Sequence, residues 1–341
     1  MIPGMKLLNN IALLLLAVGL FACSPKEQTT PGAGASELDR LAKQAARIEI
    51  VRDDFGIPHV YGATDADAVF GMLYAQAEDD FPRVERNYIW AIGRLAEVDG
   101  EAAIYSDVRA HLYMTVDEAK AAYADAPEWL RELCVAFADG LNFYLATHPD
   151  VQPALLTRFE PWMPMYFFEG SIGGDIEQIP LEGIAEFYGG KEVAAAPLTA
   201  FANVQNASNG FAIAGEHTQS GDAMLLINPH TSFYFRGEMQ VTSEEGLNAY
   251  GAVTWGQFFI YQGFNENTGW MHTSTQVDFI DEFVEDVSET DGVLQYRYGD
   301  EMRPVEAYDV ALKYKDGDEF GERTFTLYRS HHGPITHEAD G

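Results

Sequence analysis

A serine hydroxyl becomes a nucleophile only when a base takes its proton, and the run Asn206-Ala207-Ser208-Asn209-Gly210 offers an unusual base. If the peptide bond before Ser208 is cut, the freed α-amino group, with an unperturbed pKa of about 7.7–8.0, can accept that proton. One residue then supplies nucleophile and base. As a bare pattern the run is weak, because Ser-Asn ahead of a strand reads equally as a turn. Other chemistry-bearing residues are sparse. Cys23 and Cys134 are the two cysteines, so no disulfide framework forms. Cys134 shares one helical face with Leu130, Leu133, Phe137, Leu141, Tyr144 and Leu145, and reads as a buried small hydrophobe rather than a nucleophile. His331-His332 and His337 lack the spacing of a zinc site with its carboxylate or cysteine partners.

The chain that must position these groups has 341 residues, 47% of them hydrophobic and 22% charged, a globular balance that excludes a disordered tail, a collagen repeat or a coiled coil. Its net charge of −32 repels phosphate backbones, which excludes nucleic acid as a partner. At the start, Lys6 precedes the apolar run Ile11 to Phe21, shaped like a signal peptide and too short to span a bilayer as a mature helix. Leu20-Phe21-Ala22-Cys23 resembles the lipobox of bacterial lipoproteins, which implies acylation of Cys23, a membrane contact through the lipid and a place on the cell envelope facing the periplasm. Ser24 is compatible with outer-membrane sorting, and a cleaved, freely periplasmic form is the alternative. Residues 24–36, rich in small residues, read as a tether.

Beyond the tether, a helix over Leu38 to Arg47 leads into a strand, Ile48 to Arg52, a turn at Asp53-Asp54-Phe55-Gly56, and a returning strand, Pro58 to Ala63. Helical periodicity runs from Ala66 to Leu95 with an interruption near Pro82. Two further start signals are Thr115 with Glu118, and Asp125 with Pro127 and Glu128. From Gly183 to Ala207 the hydrophobic period fades and a linker is expected. Strands follow: Gly210 to Ala214, Ala223 to Ile227 after a turn at Gly221-Asp222, Leu294 to Tyr298, Ala307 to Tyr314 and Arg323 to Tyr328. Helices first and strands after make an α+β chain.

Arg52-Asp53 with Gly56-Ile57-Pro58-His59-Val60, Tyr74-Ala75-Gln76-Ala77-Glu78-Asp79, Gly93-Arg94-Leu95-Ala96-Glu97 and Ser208-Asn209 resemble, in order and spacing, the penicillin acylase family. That family belongs to the amino-terminal nucleophile hydrolases and includes β-lactam, acyl-homoserine lactone and lipopeptide acylases. The resemblance implies a precursor that cuts itself, loses a spacer and joins its two chains in a four-layer αββα sandwich. The expected parts are a signal peptide (1–22), a tether (23–36), a first-chain region (37–183), a spacer (184–207) and the start of the second chain (208–341), the two chains forming a heterodimer.

Carried across residue by residue, the resemblance makes Ser208 the nucleophile, exposed by cleavage of Ala207–Ser208, although the family usually has Gly where Ala207 stands. His230, closing Asn228-Pro229-His230, matches the histidine that helps orient the serine amine in the lactone and cephalosporin branches. Ser274, ending Gly269-Trp270-Met271-His272-Thr273-Ser274, matches the backbone N–H donor to the oxyanion, while His272 reads as a packing residue on a strand. Asp278, Ile280 and Asp281, with Glu182 from the first chain, match a structural calcium site, with Glu177 and Glu186 as near neighbours of Glu182. Calcium takes mixed carboxylate and carbonyl oxygens, which these residues offer. The acyl pocket is expected around Phe168, Ile172, Ile176, Thr231 and Phe233, apolar enough for a fatty tail. No redox cofactor is implied.

The function implied is hydrolysis of a small acyl amide through an ester on Ser208. The family's second chain is several times longer than residues 208–341 and carries a second oxyanion donor, so a partial gene product, inactive by itself, is expected. The alternative is an unprocessed, lipid-anchored binding protein with the same fold.

Overall fold

The computed structural model describes residues 35–166, 179–189, 207–230, 236–273 and 280–338. All of them fall within one contact unit, Ala33–Gly341.

The first part is helical around one small strand pair. Helix α1 (Ala35–Ala45) precedes β1 (Glu49–Arg52) and β2 (Pro58–Gly62), which pair antiparallel. The turn between them forms because Asp53 accepts the N–H groups of Phe55 and Ile57, both at 2.9 Å, and Gly56 takes φ 84°. Helix α2 (Asp65–Ala91) starts at Thr64, whose hydroxyl accepts from the Asp67 N–H. Its break lies at Asp80 (φ −157°), two residues before Pro82, and the Asp80 carboxylate then accepts from the Arg83 N–H. Asp80 thus recaps the helix, and Pro82 falls in the new first turn, where no N–H is needed.

Helices α3 (Ala96–Asp99), α4 (Ile104–Tyr113), α5 (Val116–Asp125) and α6 (Glu128–Thr147) follow. The Thr115–Glu118 capping box is present. Asp125 instead closes α5, and α6 begins after Pro127 without a side-chain cap. Helix α7 (Leu181–Gly189) occupies the beginning of the expected linker, with Ile184 and Ala185 buried in the core and the Tyr188 hydroxyl donating to the Ile335 carbonyl at 2.6 Å.

The strands are β3 (Ala207–Ile213), β4 (Met224–His230), β5 (Arg236–Ser243), β6 (Asn248–Thr254), β7 (Gln262–Phe264), β8 (Gly269–Trp270), β9 (Val287–Thr290), β10 (Val293–Tyr298), β11 (Glu301–Pro304), β12 (Glu306–Asp316), β13 (Glu319–Ser330) and β14 (Gly333–Pro334). They form a six-stranded sheet, β1-β2-β5-β6-β7-β8, two three-stranded sheets, β11-β10-β9 and β12-β13-β14, and the pair β3-β4. This is the α+β order expected.

Helix α2 packs on α6 and on β2 and β5, so it forms the spine between helices and sheet. Buried hydrogen bonds fix it there. Gln76 donates to the Gln257 carbonyl and accepts from the Gly256 N–H, both at 2.8 Å, and the Tyr88 hydroxyl donates to the Gly256 carbonyl at 2.9 Å. The motif around Gln76 therefore serves architecture: Glu78 and Asp79 pair with Arg52 at 3.2 and 2.8 Å, tying α2 to β1. The next motif does the same, since the buried Asp107 carboxylate accepts the Leu95 and Ala96 N–H groups at 2.7 and 2.8 Å. The β12–β13 hairpin grips the helices from the other side, through Arg329–Glu118 at 2.5 Å and the Tyr308 hydroxyl on the His111 carbonyl at 2.9 Å.

Candidate active site

Ser208 is the second residue of β3, opposite Pro229, with Ala207 opposite His230 and Asn209 opposite Asn228. Because strand side chains alternate, residues 208, 210 and 212 share one face with 225, 227 and 229, while 209, 211 and 213 share the other with 224, 226, 228 and 230. The two faces differ sharply. On the first, a Cβ at Gly210 would run into the Met271 sulfur, a Cβ at Gly269 would run into Leu225, and the Thr273 hydroxyl donates to the Ser208 carbonyl at 3.2 Å. The segment leaving β8 thus crosses the β3–β4 pair, with Thr273 at the Ser208 carbonyl, Met271 over Gly210 and Gly269 against Leu225 of β4. The glycines at 210 and 269 allow this close approach.

The second face carries a polar cluster that runs into an apolar strip. His230 Nε2 lies 3.1 Å from Asn209 Nδ2 and 2.9 Å from Asn228 Oδ1. One ring nitrogen cannot accept from the first and donate to the second together, so the ring tautomer and the amide orientations are linked. Beyond it, Phe211, Ile213, Met224 and Leu226 stand 63%, 43%, 58% and 50% exposed. Asn209, Asn228 and Thr273 were given no role from sequence. Asn209 and Asn228 form the rung next to Ser208 and lie on the His230 face of strands of known period, a signal the sequence carries, whereas Thr273 comes from 65 residues away and leaves none.

The other expected groups divide by position. Ser274, Asp278, Phe168, Ile172, Ile176, Thr231, Phe233 and Cys23 lie outside the described residues. Glu182 is exposed on α7; Ile280 packs on the core, and Asp281 is exposed. Carboxylates and a main-chain carbonyl are the right donors for calcium, but the set is incomplete among the described residues. His272 follows β8 rather than lying on a strand. Its ring packs 4.8 Å from Tyr261, and its carbonyl accepts from Gln262 at 2.7 Å, a packing role. Cys134 is fully buried, and burial pushes its thiol up to about 11, which removes it as a nucleophile. The expectation that the paired histidines lack a carboxylate is corrected: Glu285 reaches His332 Nδ1 at 3.0 Å and His331 Nδ1 at 3.9 Å. Distance in sequence hid it. Among the described residues no helix is long and apolar enough to cross a membrane.

Comparison with known proteins adds to this geometry. The penicillin amidase family model matches residues 47–340. An acyl-homoserine lactone acylase of Pseudomonas syringae, PvdQ, is 28% identical over 274 residues, covering 70% of this chain and 35% of the relative. An acyl-homoserine lactone acylase of Pseudomonas fluorescens, QuiP, is 21% identical over 390 residues, covering 100% of this chain and 47% of the relative. A solved thermostable penicillin G acylase from Alcaligenes faecalis aligns with 40% of this chain and 76% of its own at 22% identity, with a TM-score of 0.35. The chain spans about a third to a half of the length of these curated relatives. Since the family match runs from the end of the first helix through every motif tied into the spine and on past Ser208, the chain belongs to the penicillin amidase family.

Proposed function

We propose that this chain is the nucleophile-bearing part of a self-processing amidohydrolase whose substrates are N-acyl-homoserine lactones. The single observation that carries the proposal is the setting of Ser208, at the start of β3 with its carbonyl held by Thr273 and its upstream neighbour across from His230. The names of the relatives support the substrate class, with acylated peptides and β-lactams as the other acyl amides to compare.

In this reading Ala207–Ser208 is cut and two chains remain together. The free amine of Ser208 takes the hydroxyl proton as Oγ attacks the amide carbonyl, and the Ser274 N–H stabilises the oxyanion; one such donor is worth about 2.7–4 kcal/mol. Collapse breaks the C–N bond, the leaving amine takes the proton from the α-ammonium, and an ester remains on Ser208. Water, deprotonated by the same amine, hydrolyses the ester, and the acid leaves. His230 lies on the opposite face from the Ser208 side chain and serves the main-chain nitrogen rather than the hydroxyl. Phe168, Ile172, Ile176, Thr231 and Phe233 would line the acyl pocket. Glu182, Asp278, Ile280 and Asp281 would hold a calcium ion that braces the fold. Acylated Cys23 would anchor the protein on the periplasmic side of the cell envelope, testable by detergent partitioning of Cys23→Ala.

Intact mass of the protein from its full-length gene, beside Ser208→Ala, tests the proposal. Two chains, one beginning at Ser208, an uncut variant and acid released from a long-chain acyl-homoserine lactone are expected. A single chain in both samples overturns it. That result would favour the second reading, an unprocessed lipid-anchored binding protein, which has one observation behind it: residue 207 is already paired in a ladder, and carries a Cβ where the family usually has none.

A further inference from the structure

We propose that Glu285, His331 and His332 form a binding site for a divalent transition metal of the zinc class, separate from the expected calcium ligands and independent of the acylase reading. Two imidazole nitrogens and a carboxylate oxygen are a recurrent zinc donor set that leaves a position for water. All three ligand atoms lie within 4.8 Å of one another. Around a tetrahedral ion at about 2.0–2.1 Å, ligand atoms stand about 3.3–3.5 Å apart. The 3.0 and 3.9 Å separations from Glu285 bracket that spacing, and closure of the site requires the two imidazole nitrogens, within 4.8 Å, to draw together around the ion.

The surroundings hold the rings in place. His332 stacks on Phe283 with centroids 3.9 Å apart and planes 2° from parallel, while His331 stacks on Tyr296 at 5.4 Å and meets Tyr298 edge-on at 4.6 Å. The Tyr296 hydroxyl accepts the His331 N–H at 3.2 Å, and the Ser330 hydroxyl accepts the His332 N–H at 3.1 Å. Aromatic packing and main-chain bonds therefore aim both imidazoles before any metal arrives. Glu285 is largely buried, its side chain 13% exposed. Burial raises its pKa, but hydrogen bonds from His332 and Ser330 and the nearby imidazoles lower it further, which keeps the carboxylate ionised. Its ligands come from the turn after β13 and from the segment before β9, so a bound ion would pin two strand systems together. Imidazole nitrogen is a poor ligand for calcium, which sets this site apart from an oxygen-only one.

The test is a zinc titration of the untagged full chain against a competing chromophoric chelator, with calcium in excess. One equivalent of zinc bound, undisturbed by calcium, is expected, with affinity reduced at least about tenfold in His331→Ala and in His332→Ala. Cobalt(II) added to the unaltered protein gives a second readout, visible absorption bands of a four-coordinate nitrogen and oxygen site, that needs no variant. Zinc affinity equal in the parent and in the His331→Ala/His332→Ala double variant, or no cobalt spectrum, overturns the proposal. Matching far-ultraviolet spectra of parent and variants without metal separate lost ligation from lost folding, and His332→Gln replaces any alanine variant that fails to fold.

Discussion

Ser208 and His230 stand one rung apart on the β3–β4 ladder and direct their side chains to opposite faces of it. The imidazole is engaged with Asn209 and Asn228 on the exposed face, while Ser208 shares its face with Gly210, over which Met271 packs. A histidine so placed is not the direct partner of the hydroxyl.

Were the protein cut and active as proposed, its pH profile would check this. With the α-amine as base, kcat/KM rises with an apparent pKa near about 7.7–8.0, and His230→Gln lowers the plateau while keeping that rise. A rise that vanishes in His230→Gln would make the imidazole the base and sink the assignment.

Gly210→Ala places a methyl group against the Met271 sulfur. Overpacking of this kind costs about 1–3 kcal/mol, here at the strand that presents Ser208. Slower appearance of the chain beginning at Ser208, followed by mass, is expected, with recovery in Gly210→Ala/Met271→Ala. Recovery separates a steric clash from any need for glycine's backbone freedom.

Gln76→Leu removes two buried hydrogen bonds and leaves the Gly256 N–H and the Gln257 carbonyl without them. Each stranded buried group costs about 1–3 kcal/mol, so a fall in Tm of several degrees is expected, read by calorimetry. A change within error would show that water replaces the amide.

Acid and base limits of stability have different owners. Burial raises Asp107 to about 7 despite its two amide hydrogen bonds, so the folded state holds its proton more tightly than the unfolded chain. Stability from this group is full below about 4 and declines as pH rises toward 7. Glu118 behaves oppositely: Arg329 draws it down to about 2, so its contribution is present above the usual glutamate value and is lost as pH falls toward 2. Thermal melting of Asp107→Asn should flatten the slope between about pH 4 and 7, and Glu118→Gln the acid limb alone.

Local chemistry was legible in the sequence wherever the partners lie within a few residues. Asp53 and Gly56 specify their turn, Thr115 and Glu118 their capping box, and the Cys134 helix face is apolar by spacing. Helix α7 was missed because Gly183 and Gly189 lower its propensity, and its place is set by packing on Tyr328 and residue 335 rather than by local preference. Asp125 has the place of a cap two residues before Pro127, yet it completes the helix before. Glu285 stayed invisible as a partner of His332 because 47 residues separate them. The motif singles out Ser208, but which face its side chain takes depends on the β3–β4 register, which a single strand does not reveal.

Strands β2 and β5 run parallel from His59↔Gln240 to Gly62↔Ser243, and this ladder lies on both sides of the proposed cut. With Gln76 and Tyr88 gripping residues 256 and 257, scission between 207 and 208 would leave an interlocked particle whose halves cannot part without tearing a sheet. The unfolded chains, by contrast, would drift apart, and their reunion would become a second-order encounter. Before the cut, folding is a property of one molecule; after it, recovery depends on concentration, and persistence rests on the unfolding barrier. The mature protein would be an object assembled once, durable by slow escape rather than by the ability to form again.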